Sequence, residues 1–138
     1  MAKQTGLGDY LAIDDSGGSL RDISNDVTNV TFSQGQNLLD ITGLDKSAIE
    51  RLVALGDLTV SISGVFNAAS NMSHAVLSTL SGTRTLTYAV GGNSASNPVL
   101  SAEVLLGAYN LDRASDGGLT WSADASLQSG TVPAWSTV

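Results

Sequence analysis

In Leu58-Thr59-Val60-Ser61-Ile62-Ser63, aliphatic and hydroxyl side chains alternate without a break. Successive side chains of an extended chain point to opposite faces, so Leu58, Val60 and Ile62 share one face and Thr59, Ser61 and Ser63 the other. That is the pattern of a strand with one buried and one wet side. Phe66 continues the apolar face past Gly64. The run Leu119–Gln128 repeats it, with Leu119, Trp121, Ala123, Ala125 and Leu127 against Thr120, Ser122, Asp124, Ser126 and Gln128. Arg84–Val90 also alternates, Leu86, Tyr88 and Val90 opposing Thr85, Thr87 and Ala89. Val99–Leu111 is more continuously apolar at Val104-Leu105-Leu106, which predicts a central strand covered on both faces.

Turn residues separate these runs. Asp14-Asp15-Ser16-Gly17-Gly18 lies between Tyr10-Leu11-Ala12-Ile13 and Leu20, and Ser115-Asp116-Gly117-Gly118 between Leu111 and Leu119; each reads as a hairpin. The stretch 91–98, Gly-Gly-Asn-Ser-Ala-Ser-Asn-Pro, reads as a longer exposed loop. A helix is predicted over Ser70–Ser81, with Met72, Ala75, Val76, Thr79 and Leu80 inward and Ser73, His74 and Ser78 mostly outward. Ser70 or Asn71 is its expected N-cap and Gly82 its stop. A shorter second helix could occupy Asp45–Leu55, with Ile49, Leu52 and Val53 as its apolar stripe. The expected fold is one domain over residues 1–138, all-β with one flanking helix: an antiparallel β-sandwich or barrel. Its middle segment, about 34–56, does not read as core strand.

Composition narrows the function. With 138 residues the chain can bury a core without staples, and with no cysteine it has neither disulfides nor thiolate metal sites. The formal net charge is −7, and Lys3, Arg21, Lys46, Arg51, Arg84 and Arg113 are scattered, which argues against a nucleic-acid reader. The segment 1–6 lacks the apolar core of a signal peptide, and no stretch reaches the roughly 20 apolar residues that span a bilayer. The chain is therefore expected in a cytoplasm, or in a particle assembled there, without membrane partners.

Catalysis should leave a constellation, and none stands out. His74, the one histidine, reads as a surface or inter-subunit residue, and no Gly-x-Ser-x-Gly elbow accompanies the serines. Asp14-Asp15 and the pair Asp112 and Asp116 lack the spacing of a calcium loop. They fit Asx turns, as do Asp22, Ser24, Asn25 and Asp26. Gly6-Leu7-Gly8 lacks the rest of a phosphate loop. No catalytic residue, metal or cofactor is expected. Trp121 alternates with core residues, whereas Trp135, after Pro133, is expected to dock on its own domain or on a neighbour.

Several segments in order carry a resemblance. Residues 57–67, Asp-Leu-Thr-Val-Ser-Ile-Ser-Gly-Val-Phe-Asn, resemble the strand before the helix in tail tube (major tail) proteins of siphophages. Ile23–Phe32 is similar to an early segment of that family. Ile41–Ala48 is similar to the Gly-rich stretch that follows it, and residues 130–135 to its end. The resemblance covers about residues 10–135 and implies a β-sandwich with a helix. Such subunits join sheet to sheet into hexameric rings, which stack into the hollow tail tube through which DNA leaves the virion. It implies tape-measure and tail-tip or terminator proteins as partners, with DNA as non-specific cargo and assembly in the host cytoplasm.

On that footing, segment 34–56 is an assembly loop, and the termini, 1–9 and the tail after Gly130, are inter-subunit arms. Leu38, Leu39, Ile41, Leu44, Ile49, Leu52 and Trp135 are the stacking candidates. Glu103 and Asp124, on predicted strands rather than turns, are candidates to face the lumen, where acidity would keep DNA from sticking. Deleting Leu44–Ala54 should leave a folded domain that no longer polymerises. Two other readings compete. A carbohydrate-binding or capsid-decoration β-sandwich predicts a monomer or trimer with an exposed aromatic platform. A secretion-machine tube subunit would share the ring but not the DNA.

Overall fold

Each alternating run becomes a strand in the computed structural model, which describes residues 4–138. Met1–Lys3, part of the expected N-terminal arm, lie outside the described residues. The strands are β1 (Tyr10–Asp14), β2 (Leu20–Asp22), β3 (Val27–Asp40), β4 (Arg51–Val65), β5 (Thr83–Ala89), β6 (Pro98–Arg113), β7 (Leu119–Leu127) and β8 (Ser136–Thr137), with one helix, α1 (Ser73–Leu77). Described pairings are all antiparallel, in the order β2-β1-β5-β6-β7-β4-β3, with β8 on β6. Both predicted hairpins form, β1–β2 and β6–β7. The all-β fold with a single flanking helix is as expected, and no helix among the described residues is long and apolar enough to cross a membrane.

One sheet makes two layers because β6 belongs to both. Its first half pairs with β5 up to Thr83↔Leu105, and its second half with β7 from Val104↔Leu127 to Arg113↔Leu119. Within the pairing to β7, just past the end of the β5 pairing, a register shift at Leu106/Ala108 brackets Gly107. A bulge of this kind bends a strand and adds one residue to it. Side-chain parity therefore flips: Leu100, Ala102, Val104 and Leu106 face the core before it, and Tyr109, opposite buried Ala123, faces inward after it. The layers close on one another so that Phe32 of β3 and Tyr88 of β5 lie 4.8 Å apart, ring centre to ring centre. Leu58, Val60 and Ile62 pack with Leu11, Ile13, Leu86 and Trp121 in one cluster, Trp121 being 1% exposed as its alternation predicts.

Three expectations are corrected. β6 is central in the sheet but covered on one face only, because alternation persists through the apolar run and leaves Leu105 45% exposed. The helix predicted over Ser70–Ser81 is five residues long, starting after Asn71 in the left-handed region (φ 63°) and an extended Met72. Ser73 is buried and Ala75, Thr79 and Leu80 are exposed, against the predicted faces, whereas Val76 is buried and Ser78 exposed as predicted. The chain leaves the helix after Leu77 because buried Arg84 draws in the carbonyls that follow. No helix forms in Asp45–Leu55. Leu52 and Val53 pair instead with Leu39 and Leu38 in a β3–β4 ribbon, and only Ile41–Glu50 loops at its tip.

Candidate functional site

Beyond Gln36, β3 and β4 leave the domain as a two-stranded arm. Paired residues share a face of the ribbon, so Leu39 and Leu52 lie on one side and Leu38 and Val53 on the other. Both sides are aliphatic and neither is covered: Leu38, Leu39, Ile41, Ile49 and Leu52 are 51–59% exposed, Leu55 81% and Leu44 fully. All six aliphatic stacking candidates thus converge on one projection. The neck of its tip loop is closed by polar bonds rather than packing. The Thr42 backbone and hydroxyl both donate to Asp40 Oδ1, and Glu50 N–H donates to Thr42 Oγ1 at 2.9 Å. Those two bonds to the Asp40 carboxylate, the Thr42 hydroxyl foremost, hold its pKa below the usual value.

A second surface is the outer face of the layer formed by β3, β4, β7 and the second half of β6. Register builds it in rows: Asn29, Ser63, Ser122, Asn110; then Thr31, Ser61, Asp124, Ala108; then Ser33, Thr59, Ser126, Leu105. The side chains are short and mostly hydroxyl or amide, with no Lys or Arg among them. Asp124 stands in the middle row and accepts a hydrogen bond from Ser61 Oγ at 3.0 Å. Glu103, two residues before Leu105 on the same face of β6, lies beyond the third row where that strand also pairs with β5, and Thr85 Oγ1 donates to it. The two acidic candidates therefore point to the same side of the sheet but stand two rows apart.

This layer has two open edges. β3 pairs with β4 alone, and β6 beyond Leu105 has β7 on one side and no described strand on the other. The tail after Leu127 stays near the arm's base. Pro133 O accepts from Gln34 Nε2 at 2.8 Å, β8 pairs with Pro98 and Val99, and Val132 lies where a Cβ on Gly56 would meet it at 2.7 Å. Trp135, between these attachments, remains 46% exposed.

The far pole, where β4 ends, is organised by residues with other expected roles, and Asp26 in particular makes tertiary bonds in place of the Asx turn expected of it. Asp26 is 4% exposed and accepts from Asn67 Nδ2 at 2.9 Å and from Ser73 N–H at 3.1 Å, tying the loop and the start of α1 to β3. Arg84 is 1% exposed with no carboxylate in ion-pair range among the described residues. Its guanidinium donates instead to the carbonyls of Asp14 and Val76, each at 2.9 Å, and to those of Thr79 and Ser81. A cation suits the carbonyl end of a helix, which carries partial negative charge. Alternation places Arg84 in line with Leu86, on the inward face of β5. His74, half-buried rather than on an open surface, bonds Tyr109 through Nδ1 at 3.2 Å. Its ring centre is 4.9 Å from Phe66 and 5.9 Å from Tyr109, which is 6.1 Å from Trp121. Burial raises the Tyr109 pKa.

No family model and no curated protein matches the chain by sequence. Solved structures do match. The chain aligns over 99% of its length with 99% of a chain from the tail of an empty gene transfer agent particle, obtained by helical refinement with C6 symmetry; the TM-score is 0.74 and the identity 13%. A chain from the virion of the native gene transfer agent particle matches with the same coverage and identity and a TM-score of 0.73. At such identity the shared property is the backbone path, from end to end in both chains. The fold of this protein is the fold of a chain found in a gene transfer agent tail.

Proposed function

We propose that the chain is a structural virion protein, the tail tube subunit of a phage-like particle, and that it forms stacked rings of six around a channel for DNA. The observation that carries this reading is the whole-length likeness to a chain of a C6-symmetric tail. The open edges supply a mechanism. An unpaired strand edge is a template for another strand. Joining the β3 edge of one copy to the β6 edge of the next is a head-to-tail contact, which closes into a ring when the rotation fits. Six four-stranded layers give a barrel of about twenty-four strands; at roughly 4.8 Å per strand its diameter is about 37 Å, before strand tilt widens it.

The polar face then lines the channel. Short hydroxyl and amide groups, with a carboxylate at Asp124 in the middle row and others at Asp57 and Asp112 in the next rows out on either side, and no cation among them, offer passing phosphates nothing to release. Asp124 suits a lumen position in this arrangement, and Glu103 would stand at the margin of that wall, one row past Leu105. The arm reaches along the tube axis to the next ring, where burying each aliphatic side chain is worth about 1.5–3 kcal/mol. Tape-measure and terminator proteins would set its length, in the cytoplasm of the host. A sugar platform finds less support, since Trp121 is core and Trp135 stands alone.

Electron microscopy of the purified protein, alone and with its tape-measure and initiator proteins, tests this. Six-fold rings or tubes are expected. A protein that stays monomeric at high concentration in both conditions overturns it.

A further inference from the structure

We infer that the arm of one copy docks on the opposite pole of the next, against the ring cluster Phe66, His74 and Tyr109 with Leu111 beside it. The inference rests on the tube reading and adds the receiving surface. β4 runs unbroken from the arm at Arg51 to Val65 and delivers Phe66 directly beyond it. Fifteen extended residues span about 50 Å, so the arm and the ring cluster occupy opposite ends of one strand. A second copy displaced along that strand brings one copy's arm to the other's ring cluster. The contact is head-to-tail and repeats without limit, as a stack of rings requires.

The two ends match in chemistry. The arm is aliphatic on both sides, with nothing of its own domain over either. At the other pole α1 is five residues long, too short to cover the end of the layer. Leu111, opposite buried Trp121, is left 50% exposed, and Phe66, His74 and Tyr109 are only half-buried. No described segment of the same chain can fill this site. The tail is held at the arm's own end, by Gln34 and by Pro98 and Val99. The adjoining hairpin tip, Asp112 to Gly118, is exposed throughout.

The absence of native cysteine makes the contact directly testable. In the full chain carrying Leu44→Cys and Leu111→Cys, mild oxidation of assembled polymer should yield a ladder of covalent oligomers on a non-reducing gel, and neither single variant should. Leu111→Glu, at an exposed position, should raise the concentration needed for polymer about tenfold or more while leaving the thermal midpoint unchanged, as a charge desolvated in a contact demands. Polymer that gives no ladder and tolerates Leu111→Glu overturns the docking and leaves the tube standing. A cysteine-free parent that never polymerises overturns both.

Discussion

The same two strands, β3 and β4, behave differently along their length. Between Val30 and Ser33, and between Leu58 and Ser63, apolar and polar residues alternate. β4 there is paired on both sides, and its inner face is sealed, with Leu58, Val60 and Ile62 at 0–4% exposure. In the arm the backbone pairing continues while the alternation stops: Leu38 and Leu39 are consecutive, as are Leu52 and Val53, and all exceed 50% exposure. Hydrogen bonding alone therefore does not decide where a strand belongs. One apolar face folds a strand onto its own domain; two apolar faces on a bare ribbon call for an outside surface.

The sharpest break between the halves is steric. At Gly64, where β4 passes the Asp26 backbone, an added Cβ would lie 1.8 Å from the Asp26 carbonyl oxygen. Gly64→Ala should cost about 3 kcal/mol or more in urea denaturation, since backbone rather than a side chain must move. At the arm's base, Gly56→Ala meets only a Val132 methyl, at 2.7 Å, which can rotate away. Its cost should stay under about 1 kcal/mol. Equal losses at the two sites would remove the distinction between a core-locked and a free half.

Chemistry on the arm itself should separate folding from assembly. The triple change Leu39→Ser, Leu44→Ser and Leu52→Ser should alter unfolding free energy by about 0.5 kcal/mol or less, because these residues are 51% exposed or more. It should abolish polymer in electron micrographs. A large drop in stability would mean that the arm packs on its own domain after all.

The smallest effect is a pH dependence. Asp40 at the neck of the arm's tip loop has a lowered pKa, and so does Asp15, through the Ser19 N–H foremost and then Arg21. A depressed folded pKa contributes stability above the unfolded value, near 3.9, that is lost as pH falls through the folded one. Both turns should loosen below about pH 4, and NMR shifts of Thr42 and Ser19 should report it while core amides stay unchanged. Core amides moving in step with Thr42 would show that the neck is not independent of the domain.

Much of this was legible in the chain. The alternation in Leu58–Ser63 and Leu119–Leu127, the Asp-Gly turns and the core position of Trp121 follow from side-chain geometry that operates within a few residues. The apolar excess of the middle segment was legible too, as a surplus, but not its form. Leu52 and Val53 satisfy a helical stripe as well as a strand, and only pairing with Leu39 and Leu38 decides between them. The Gly107 bulge was hidden because a single glycine in an apolar run carries no sign of a parity flip. Glu103 and Asp124 looked equivalent for the same reason, being separated only by where β6 changes partners.

The alternating strands and the apolar surplus of the middle segment were thus determined by the sequence itself, since each rests on which residue types are present and how they alternate. The tertiary structure decided which edges stay open, that the stacking candidates share one arm, and that Arg84 is buried. Those are facts about residues far apart in the chain. Arg84 answers to carbonyls at Asp14 and Val76, and the arm's base at Gly56 lies roughly 30 Å of strand away from the far pole at Val65. No local pattern encodes a distance of that kind; it exists only once the chain has closed on itself.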